Sequence, residues 1–315
     1  MYTLTIEHYT PTETSKYYVE LRPIAIIGKI FGLFPFDNAL QVDVYRLQFN
    51  WLTFNIAYGI VFQITCFIIY MQVEHNHWFI PVTFVHKLRA FTVLFTCLYY
   101  ERYILGIIRN IQDFDEKFGK LFFRNVTSRK WHGLTWGIYL AILISTKAGS
   151  CFYYYGEQEV FSILSISSVC GIVAIFTRTA YIHTYMFLCF SVASRFLDLL
   201  EQWRHLMKQY QSYQPVYCIR KLRLELLEDI RLLHGHLVAI VWKINICYGV
   251  RLVSFFAFLF MEILHDLYIF TILHDRRNLC QAIFNCLNVA DIILMGTVTT
   301  YLANSVSMHF ITFFL

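Results

Sequence analysis

Residues 280–315 read CQAIFNCLNVADIILMGTVTTYLANSVSMHFITFFL. From Ala282 to Met308 this run is apolar and carries one charge, Asp291. About 20 such residues, wound as a helix, cross the hydrocarbon core of a bilayer. A transmembrane barrel strand would instead show about 10 residues of alternating polarity. The stretch therefore predicts a membrane helix, and the same pattern recurs along the chain.

Composition agrees with that reading. Of 315 residues, 57% are hydrophobic, 18% aromatic and only 15% charged. An average soluble domain carries about 25% charged residues, so this chain is short of polar surface. Lipid admits only helices and closed barrels, because every backbone polar group must be satisfied internally. The fold class predicted is all-α: a polytopic transmembrane helical bundle.

Six spans are visible: Trp51–Met71, Trp78–Tyr100, Trp131–Tyr154, Val160–Ala193, Leu237–Leu273 and the closing stretch Cys280–Leu315. Ahead of them, Met1–Asn50 is a polar, acid-containing tail with no cleavable signal peptide. Within it PIAIIGKIFGLFPF (Pro23–Phe36) is too short to span and reads as an interfacial helix. Between spans four and five, Phe196, Leu199, Leu200, Trp203, Met207 and Tyr210 recur at helical spacing. After a break at Gln214-Pro215, Leu222, Leu226, Ile230, Leu233 and Leu237 do so again. The organisation is thus a tail over 1–50, spans over 51–193, a helical hairpin over 194–236 and the last spans over 237–315.

Basic residues set the orientation. The tail holds four Lys or Arg, and the segments 101–130 and 194–236 hold seven each. The loops 72–77 and 155–159 hold none, and the loop 274–278 has Arg276 and Arg277. The positive-inside rule then predicts a cytoplasmic N-terminus, opposite to a G-protein-coupled receptor. The sequon Asn125-Val126-Thr127 falls on the cytoplasmic side and is expected to stay unmodified. The net charge of +5 belongs to these topology signals, so a nucleic-acid partner is not expected.

Charges within the apolar runs are costly, about 2.5 to 3.5 kcal/mol each at a helix centre on insertion scales, and so should face the bundle or a wet cavity. Lys87, Arg89, Lys147, Glu262 and Asp266 fall in the outer half; Glu262 and Asp266, four apart, share one helix face. With Tyr154, and with Trp78, Tyr153, Tyr155 and Tyr268 nearby, they are the candidates for an outward-facing ligand pocket. The alternative is that these charges pair with one another and hold the bundle together. Arg178, Arg251 and Asp291 lie nearer mid-depth and are expected to pair structurally; Lys243 is also in an apolar run.

Catalytic and metal motifs are missing. There is no Gly-rich phosphate loop, HExxH or nucleophile elbow. The nine cysteines form no CxxC pair, and the twelve histidines show no ligand spacing. No enzyme activity, metal or cofactor is expected. A disulfide between Cys151 and Cys280 stays open, since spacing alone fixes no geometry.

One combination of features resembles the insect gustatory receptors, within the seven-transmembrane insect chemoreceptor superfamily. It comprises the cytoplasmic N-terminus, Pro23–Phe36 before the first span, and the basic helical segment between spans four and five. To these it adds KINICYG (Lys243–Gly249) in span five. The resemblance runs from about Pro23 to span six and rests on the order of loose motifs. It implies a ligand-gated cation channel in the plasma membrane of sensory neurons, assembled as a homo- or hetero-tetramer with related receptors. Tastants or pheromones would bind in the outer half of each bundle, and the hairpin would join subunits. It also implies a last helix bearing Thr-Tyr, five apolar residues and Gln-Phe. Here Thr300-Tyr301 is followed by Ser307-Met308 in the sixth span. The expectation is therefore a receptor that lacks its pore helix and does not conduct alone. The alternative class is a non-channel polytopic protein, such as a transporter or degenerate receptor relative; no internal repeat of the transporter kind is visible.

Overall fold

The computed structural model describes residues 16–30, scattered positions from 57 to 65, and 103–122, 130–156, 164–212, 217–273 and 278–314. Among the described residues the chain is all-helical, with six helices and no strand. They are α1 (Lys16–Ile30), α2 (103–122), α3 (Lys130–Gly156), α4 (Leu164–Ser212), α5 (Tyr217–Leu273) and α6 (Asn278–Phe314). The first two expected spans lie almost wholly outside the described residues.

Helix α4 is the axis of the assembly. Its neighbours are α1, α3, α5 and α6. Between Thr179 and Leu200 it is buried almost all round, with Ile182, Met186, Phe187, Val192, Phe196 and Leu199 in the core. A helix apolar on every side takes a central position, because each face then finds a neighbour. Helix α5 buries a single stripe: Ile230, Leu233, Leu237, Ile240, Ile244 and Cys247. The steps alternate between three and four residues, the seam of a left-handed helix pair. Helix α2 adds Ile104, Ile107, Ile108, Ile111, Phe114 and Phe118 to the same core.

The faces turned outward are also apolar. Trp242, Val250, Val253 and Phe260 on α5, Ile138 and Ile142 on α3, and Ile293 on α6 are all exposed. Two stretches are long and apolar enough to cross a membrane by length and composition, Leu224–Met261 and Cys286–Ser307. The core helix of a soluble protein passes the same test, but it is mostly buried. Here only 24% and 28% of the tested stretches are buried within the molecule.

Helix α1 begins at Lys16, ahead of the expected Pro23, and is packed into the bundle through Leu21, Ile24 and Ala25. Two glycines on α3 make room for it. A Cβ at Gly133 would stand 1.8 Å from the Glu20 carbonyl oxygen, and one at Gly137 would stand 2.6 Å from Pro23 Cβ. The spacing of four puts both glycines on one face, so the backbones approach as only small residues permit. The expected break at Gln214-Pro215 falls between α4 and α5. Neither helix is interrupted from its apolar part into its charged part.

Candidate functional site

Where α3, α4 and α6 meet, one carboxylate serves all three helices. Asp291 on α6 is 3% exposed, and Lys147 on α3 and His183 on α4 are 0% exposed. Lys147 Nζ donates to Asp291 Oδ2 at 2.5 Å and reaches Thr179 Oγ1 on α4 at 3.4 Å. The other carboxylate oxygen, Oδ1, faces His183 Nε2 at 3.4 Å. That is ion-pair range without hydrogen-bond geometry, and neither His183 nitrogen has a hydrogen-bond partner among the described residues. Buried Asn288, one helical turn before Asp291, is the next polar residue on this side of α6.

Aromatic rings close the site. Tyr139 stands edge-on to the His183 ring with centroids 5.3 Å apart, and Trp136 lies at 6.0 Å. Trp136 continues to Phe190, which stacks on Tyr301 at 6.0 Å. Tyr301, of the Thr300-Tyr301 pair, thus faces α4. The site is a neutral ion pair with a titratable ring beside it, wrapped in apolar surface that strengthens its electrostatics.

A second buried charge centre ties α1 and α2 to α4. The Arg195 guanidinium grips Asp115 with two bonds, Nε to Oδ1 at 2.7 Å and Nη2 to Oδ2 at 2.5 Å. Its Nη1 donates to the Ser191 carbonyl at 2.9 Å, and Glu20 Oε2 of α1 lies 3.8 Å from Nη2. All three charged residues are buried. Only Arg offers this planar fork; a Lys ammonium is a point charge.

The positions singled out in the sequence divide clearly. Lys147, grouped with the outer pocket, and Asp291, grouped with the mid-depth charges, are brought together. Lys243 is exposed on α5. Arg178, Arg251, Glu262, Asp266 and Tyr154 sit on helices, with side chains outside the described residues; so do Cys151 and Cys280. Lys87 and Arg89 lie outside the described residues altogether. Sequence reasoning counted His183 only among twelve histidines without ligand spacing, and Arg195 among the seven basic residues of its segment. A signal for Arg195 was present: it sits four residues before Leu199, on the apolar face of α4.

No metal-binding group of three His, Cys, Asp or Glu residues occurs among the described residues. No protein-family model matches the chain, and no curated protein matches it significantly in sequence.

Proposed function

We propose that the chain is a multi-pass membrane protein with a cytoplasmic N-terminus. In this reading it serves as a chemosensory receptor subunit of the gustatory type, opening a cation path when a tastant or pheromone binds. The observation that carries the reading is the length of α4 and α5. They hold 49 and 57 residues, about 74 and 86 Å at 1.5 Å per residue. A bilayer core needs only about 30 Å. The excess is the charged half of each helix, whose inner faces are buried through Phe196, Leu199, Ile230 and Leu233. A paired helical projection beyond the membrane suits a part that joins subunits. Apolar outer faces on α3, α5 and α6 support the membrane part of the proposal.

Whole-cell recording tests the channel activity, with the chain expressed alone and together with related receptor subunits. Ligand-evoked cation current when related subunits are present is the expected result. Absence of current in every combination, with the protein at the cell surface, overturns the channel reading and leaves a non-channel membrane protein.

A further inference from the structure

We propose that Asp291, Lys147 and His183 form a proton-operated switch in which a proton on His183 draws Asp291 from Lys147 on α3 toward His183 on α4. The inference is independent of which ligand the protein detects. It starts from the unequal use of one carboxylate: Oδ2 is bonded to Lys147 at 2.5 Å, while Oδ1 only faces His183 at 3.4 Å. With His183 neutral, Lys147 and Asp291 cancel and the buried site carries no net charge. Among the described residues neither imidazole nitrogen has a hydrogen-bond partner of standard geometry.

A proton on the ring creates a second cation beside the one anion. Two cations in a site with no exposed side of its own repel each other and compete for the carboxylate. The His183 ring needs to close only the short gap to Oδ1 to make a charge-assisted bond. Every ionisable group set against the ring among the described residues belongs to this arrangement. Lys147 and Tyr139 come from α3, and Asp291 comes from α6. Helices α5 and α1 meet α4 elsewhere, at Tyr181 and Tyr185 against Tyr248 and at Arg195 against Glu20. Histidine is the side chain whose ordinary titration range, about pH 5 to 8, suits such a device.

The consequence is mechanical. Asp291 is carried by α6, Lys147 by α3 and His183 by α4, so a carboxylate drawn toward His183 shifts α6 relative to α3. The test is a distance measurement in detergent or nanodiscs. Spin labels are attached through ketone-bearing amino acids at the exposed Ile142 and Ile293, which leaves all native cysteines in place. Between pH 8 and pH 5 the separation should change by about 1–2 Å, the usual size of a packed-helix shift. The change should vanish in His183→Gln, which keeps a polar side chain but does not titrate. An invariant separation in the otherwise unsubstituted chain overturns the proposal. So does a pH response that persists in His183→Gln. Should that variant fail to fold, Asp291→Asn removes the carboxylate for which the two cations compete, and a response that persists there overturns the proposal equally.

Discussion

The Lys147–Asp291 pair shows what a single buried charge demands of its neighbour. Each ion loses its water on burial, and the partner restores only part of that loss. Lys147→Met leaves Asp291 buried with its principal cation gone. The expected cost is about 3–5 kcal/mol, seen as a lowered midpoint in detergent unfolding. The double variant Lys147→Met with Asp291→Leu should recover most of that loss, because no uncompensated charge remains. A double variant no more stable than the single one would show that the pair contributes beyond mutual neutralisation. At the second centre, Arg195→Lys keeps the charge but loses the fork that meets both Asp115 oxygens. It should cost about 1.5–3 kcal/mol in the same assay, the usual worth of a hydrogen bond to a charged group. An unchanged midpoint would mean that charge alone matters there.

Among the elements, α1 is the one whose position depends most on its neighbour's composition. Its backbone at Glu20 occupies the space that a side chain at Gly133 would need. Gly133→Val should therefore push α1 off α3, strip cover from Leu21 and Ile24, and separate Glu20 from Arg195. Faster backbone hydrogen exchange across Lys16–Ile30, with α4 still protected, is the expected result. Uniformly unchanged exchange would mean that α1 shifts without detaching. The reverse control is Gly149→Ala on the same helix, where an added Cβ meets nothing within 4 Å. It should leave α1 protected and favour the helix slightly, since glycine costs about 1 kcal/mol relative to alanine in a helix interior.

At the scale of the whole molecule, the distribution of basic residues carries the proposed topology. Segment 101–130 belongs inside the cell if the N-terminus is cytoplasmic. Expressed in a glycosylating cell, the chain should carry no glycan at Asn125, and a sequon engineered into a lengthened 155–159 loop should be modified. A glycan at Asn125 overturns the orientation. The positive-inside count needs one amendment: Arg195 is buried and bonded to Asp115, so it is not an exposed surface charge. It is a structural residue on the apolar face of α4.

How far the sequence could be read follows from the range of the forces involved. Helical periodicity is local, so Leu233, Leu237 and the break at Gln214-Pro215 announce α5 and its start without any partner. Length and apolarity are local too, which is why the closing stretch is recognisable as a long apolar helix. Partnership is not local. Lys147 and Asp291 are 144 residues apart, and Arg195 and Asp115 are 80 apart. Depth along the apolar runs pointed Asp291 toward Arg178 and Arg251, and Lys147 emerged as its partner only when α3, α4 and α6 were placed side by side. The sequence by itself determined that these helices are long, apolar and interrupted by a few ions. Only the tertiary structure decided which ions meet, because charge pairing depends on distance across the bundle and leaves no periodicity along the chain.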